Sequence, residues 1–96
     1  MITVTIEKNK IKASGHAGTA PKGEDLVCAA FTMLCHSLIE SFRKLTADSF
    51  ICKIDSGSFY FECALPSGQG ELLINSYIAG VQLLAASYPE YITVQA

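Results

Sequence analysis

The sequence predicts an α+β fold: a single small domain in which a mostly antiparallel sheet carries two helices, in the order ββαββαβ. Three observations predict it. Two stretches show paired runs of alternating apolar and polar residues separated by turn residues, the pattern of β-hairpins. Each pair is followed by a long segment whose apolar residues recur at helical spacing. The chain has 96 residues, enough for one hydrophobic core and too few for two.

The elements follow in order. Ile2, Val4 and Ile6 alternate with Thr3, Thr5 and Glu7, Lys8-Asn9-Lys10 turns the chain, and Ile11 and Ala13 alternate with Lys12 and Ser14. Strict alternation places His16 on the polar face with Lys12 and Ser14, so Gly15, which has no Cβ, is expected to twist the chain. Residues 17–23 carry glycine and proline without periodicity and read as a loop. The first helix is expected to start at Asp25 as N-cap. It runs through Phe31, Leu34, Leu38 and Phe42 to end near Arg43-Lys44, cations suited to the C-terminal end of the helix dipole. Its apolar residues occupy most of the circumference, so more than one side must be covered. Phe50, Cys52 and Ile54, then Phe59, Phe61 and Cys63, make the second hairpin around Asp55-Ser56-Gly57-Ser58. Residues 66–70 read as a loop, and a second helix from Glu71 carries Ile74, Tyr77, Ile78 and Val81, with Gly80 as a close-packing point. Tyr88-Pro89 stops it, and 91–94 form a short last strand.

Half of the residues are apolar and 17% are charged, a low share of polar surface for a solitary small monomer. A two-fold homodimer is therefore expected. The net charge of −2 and the lack of a basic stripe argue against a dedicated nucleic-acid binder. Met1 leads straight into strand-like alternation rather than a secretory leader. The longest apolar run, Leu26 to Ile39, spans fourteen residues and is broken by Thr32, His36 and Ser37, short of a membrane span. A cytoplasmic protein without membrane or nucleic-acid partners is expected. The cysteines at 28, 35, 52 and 63 contain no C-x-x-C spacing, so they are expected as free thiols, with no metal site and no cofactor.

His16 and Cys28 are the candidate chemistry. With Asp25 as N-cap, Cys28 falls in the first helical turn, where unpaired N–H groups and the dipole stabilise a thiolate. A neighbouring histidine would take and return its proton. Spacing alone leaves the bland alternative open, a small buried thiol and a surface histidine. Asp25 either caps the helix or orients His16, and one carboxylate does not readily do both. Thr32, one turn beyond Cys28, either touches substrate or bonds back to the Cys28 carbonyl. Gly15, Ala17 and Gly18 flank His16 and are further candidates for substrate contact. Cys35 reads as core before it reads as a resolving thiol, Cys52 and Cys63 as core, and His36 as a surface or interface residue.

The run G-H-A-G at 15–18, a short loop, then G-E-D-L-V-C-A-A at 23–30 resembles the signature of the ribosomal-processing cysteine protease family Prp. The resemblance implies a single cysteine-protease-like domain over 1–96 and a homodimer. It also implies a catalytic dyad of His16 and Cys28. The implied substrate is the N-terminal extension of large-subunit ribosomal protein number twenty-seven, cut after aromatic residues. Phe31-Thr32 replaces the Val-Ser common in that family, keeping the hydroxyl beside a bulkier neighbour. Two competing readings stand beside the endopeptidase: a non-catalytic peptide-binding or ribosome-associated module of the same fold, and a redox thiol protein pairing Cys28 with Cys35.

Overall fold

Alternation along five strands resolves into one buried sheet face. The computed structural model describes the backbone of residues 1–15 and 22–96, and the side chains of 1–15 and 26–96. Its elements are β1 (Ile2–Glu7), β2 (Lys10–Ser14), α1 (Lys22–Leu45), β3 (Ile51–Asp55), β4 (Ser58–Glu62), α2 (Gly68–Ser87) and β5 (Ile92–Gln95). The strands lie in the order β3-β4-β2-β1-β5. The register puts apolar residues opposite one another: Ile54 faces Phe59, Phe59 faces Ala13, and Ala13 faces Val4, which lies beside Val94. Thr5, Lys12, Tyr60 and Lys53 line up across the other face.

The expected order and the mostly antiparallel sheet are found. The parallel pair is β1 with β5. It arises because each helix joins strands that run the same way: α1 carries the chain from β2 across β4 to β3, and α2 carries it from β4 across β2 and β1 to β5. Val27, Phe31, Cys35, Leu38 and Phe42 of α1 and Ile74, Tyr77 and Val81 of α2 cover the apolar face. Phe42 is fully buried, with Phe61 at 4.9 Å and Phe50 at 5.4 Å between ring centres. Gly80 is the close-packing point expected, since a Cβ there would come 3.1 Å from Leu34 Cδ2.

Three expectations are corrected. The second helix begins at Gly68, inside the segment read as loop. Ser67 caps it, accepting from the Gly70 amide at 3.1 Å while its own hydroxyl and amide donate to Asp48 Oδ2, each at 2.9 Å. Glycines are poor helix formers, but Gly70 lies where a side chain would strike Asp48 and Phe42. Cys52 is half-buried because β3 is an edge strand, whereas Cys63 is buried. Finally, α1 contains a twenty-residue stretch, Leu26–Leu45, with mean hydropathy 1.3, long and apolar enough to cross a membrane by length and composition. The interruptions at Thr32, His36 and Ser37 do not break the helix, and in this fold its apolar stripe builds the core.

Candidate active site

The C-terminal ends of β2 and β3 and the N-terminal ends of β1 and β4 meet at one end of the sheet, because Ser14 pairs with both Thr3 and Ser58, and Ser58 with Asp55. The N-terminal half of α1 lies over that end. Between the two layers is a cleft of about 430 Å³, within the range of small-ligand sites. Cys28, Thr32 and His36 belong to its helical wall, Phe31, Ala13 and Phe59 to its apolar floor, and the turn between β3 and β4 to its far rim.

Cys28 is a free, half-buried thiol opening on this cleft. Gly15 lies in the same cleft. Its amide donates to the Gly57 carbonyl at 3.0 Å, and its φ of +104° is the twist expected where the chain leaves β2. A Cβ at Gly15 would collide with the Met1 carbonyl. His16, Ala17 and Gly18 lie outside the described residues, as does the side chain of Asp25. Among the described residues, no group of three or more His, Cys, Asp or Glu is placed to hold a metal.

The helix start corrects the expected placement of Cys28. Because α1 begins at Lys22, the Asp25 backbone is helical, which an N-cap backbone is not. Cys28 is the seventh helical residue and sits in the second turn. Its N–H and that of Ala29 therefore point to carbonyls of the preceding turn rather than to the cleft. Thr32 is exposed and borders the same cleft, and its hydroxyl donates to the Cys28 carbonyl at 2.7 Å.

The other thiols are accounted for by packing. Cys35 is buried, and burial pushes its thiol up to about 12, opposed by a contact with the Tyr77 hydroxyl at 3.4 Å. Cys35 borders the same cleft as Cys28, but a thiol raised in this way is a poor source of thiolate. Cys63 is raised by burial and then by the nearby Asp48 carboxylate. His36, read from sequence as a surface or interface residue, is exposed yet shares the cleft with Cys28. The i, i+4, i+8 spacing of Cys28, Thr32 and His36 was the available signal, hidden because nothing in the sequence says which face of α1 is left open.

Comparison with known proteins decides the family. The family model for cysteine protease Prp matches residues 1–93. The chain belongs to the Prp family. Prp proteins are cysteine proteases, and the chain is accordingly a hydrolase. It is 31% identical to the ribosomal processing cysteine protease Prp of Mycoplasma pneumoniae over 97 aligned positions, covering 99% of this chain and 94% of that one. The fold matches the essential ribosomal processing protease Prp from S. aureus in complex with a covalently linked product peptide, with TM-score 0.85, 22% identity, and coverage of 99% and 98%. That Prp with a substrate peptide matches at TM-score 0.83 and 20% identity, over 99% and 98% of the two chains. SMU.848 from Streptococcus mutans matches at 0.81 and 24%, over 98% and 90%.

Proposed function

We propose that this Prp-family protease removes the N-terminal extension of large-subunit ribosomal protein number twenty-seven, with Cys28 as nucleophile and His16 as its proton partner. The observation that carries the reading is the cleft that holds both Cys28 and Gly15, the residue before His16. The names of the relatives, ribosomal processing proteases, support the substrate class. In the reaction the Cys28 thiolate adds to the scissile carbonyl, forming a C–S bond. His16 carries the thiol proton to the leaving amine as the C–N bond breaks, and water hydrolyses the thioester. Asp25, whose backbone lies within α1 rather than at its N-cap, is the candidate for orienting His16. The apolar floor of Phe31, Ala13 and Phe59 suits an aromatic side chain at the cut.

The test is hydrolysis of a peptide spanning that extension. Wild type is expected to cut it, and Cys28→Ala and His16→Ala to lose at least about 1,000-fold in kcat/KM. Undiminished cutting by either variant sinks the dyad; binding without cutting by wild type favours the peptide-binding module instead. The chain acts as a cytoplasmic homodimer in this reading. Pairing is supported by the apolar groove between the helices, where Met33 and Leu83 are 67% and 69% exposed beside Ala30 and Leu84.

A further inference from the structure

We propose that His36 is a specificity-determining residue of the cleft, reading a hydrogen-bond-accepting side chain, carboxylate or carboxamide, three to four residues from the scissile bond. The inference rests on the reading that peptides are cut at Cys28. Cys28, Thr32 and His36 lie on one stripe of α1 and all three belong to the cleft wall. Eight residues of helix separate the thiol from the imidazole by about 12 Å. An extended peptide advances about 3.3 Å per residue, so a peptide held at Cys28 and laid along α1 brings its third or fourth residue to His36.

The chemistry of the two walls selects the partner. The Thr32 hydroxyl donates to the Cys28 carbonyl, so that donor is already used. His36 is exposed and has no hydrogen-bond or ion-pair partner among the described residues. Across the cleft, Asp55 belongs by register to the polar face of the sheet, and its carboxylate lies 3.8 Å from Lys53 Nζ. The imidazole is therefore left to the ligand. An imidazole keeps at least one N–H donor whether neutral or charged, so an acceptor side chain satisfies it in both states, whereas an ammonium is repelled by the charged form.

The experiment varies Ala, Gln, Glu and Lys singly at each of the five positions on either side of the scissile bond. In wild type, kcat/KM for the Glu or Gln peptide is expected to exceed that for the Ala peptide by about 3–10-fold at one position three or four residues from the cut. His36→Ala should bring that ratio close to one while ratios at other positions stay, and His36→Gln should retain part of it. A flat wild-type profile at those positions, or a profile unchanged in His36→Ala, overturns the proposal. The same peptides are titrated onto Cys28→Ser by fluorescence anisotropy. His36-dependent discrimination in Kd without any cleavage by wild type upholds His36 and sinks the protease reading; cleavage without discrimination does the reverse. Neither cleavage nor binding sinks both.

Discussion

The Gly15 amide donates to the Gly57 carbonyl at 3.0 Å, tying the residue before His16 to the turn that forms the far rim of the Cys28 cleft. This bond crosses from the first hairpin to the second. It sets where the G-H-A-G motif begins relative to α1, which no property of the motif itself could do.

Gly15→Ala should therefore harm both fold and function. A methyl group would strike the Met1 carbonyl, and φ of +104° is strained for any L side chain. A loss of about 1–3 kcal/mol in urea denaturation is expected, together with a fall in peptide hydrolysis larger than the unfolded fraction explains. An alanine variant as stable and active as wild type would contradict the pinning.

Asp48 and Ser67 act as one device at the start of α2. Ser67→Ala removes the cap and is expected to cost about 0.5–2 kcal/mol. Asp48→Ala removes the acceptor that orients it. The double variant should lose distinctly less than the sum of the two, because both substitutions break the same network. Additive losses in a double-mutant cycle would separate the two residues.

Cys35 makes stability fall at alkaline pH. Its folded pKa is raised from 9.0 to about 12 by burial, so the folded state holds its proton where the unfolded state has lost it. The contribution is complete below about pH 9 and is lost as pH rises toward 12. Tyr77, raised by burial and then by Cys35, adds to the loss in the same direction. Denaturation midpoints measured from pH 7 to 10.5 should decline, and less steeply in Cys35→Ala. Equal slopes would show that other groups dominate.

The apolar groove between the helices predicts a surface-dependent dimer. Met33→Glu and Leu83→Glu change exposed residues remote from the core, so melting of the isolated subunit should move little. Sedimentation should shift the mass from dimer toward monomer. Dimers that persist in both variants would place the contact elsewhere; a monomeric wild type would remove it.

Much of the fold was legible because period-two and period-3.6 patterns report which residues are buried. Ile2, Val4, Ile11, Phe59 and Phe61 lie on the face their alternation indicates. Helix starts were less legible. Residues 22–25 lack an apolar stripe, which made Asp25 look like a cap, and α2 begins among glycines because Asp48, nineteen residues earlier, holds its Ser67 cap.

The sequence by itself determined the element order, the buried faces and, through the G-H-A-G and G-E-D-L-V-C-A-A runs, the family in which His16 and Cys28 are sought. Tertiary structure alone decided that Cys28 opens on a cleft shared with Gly15 and His36, and that Cys35, which borders the same cleft, is buried with its thiol against the Tyr77 hydroxyl. The physical reason is coverage. Periodicity shows that a helix has an apolar side, but which flank stays open depends on strands and turns tens of residues away, and here that flank borders the edge of the sheet at β3.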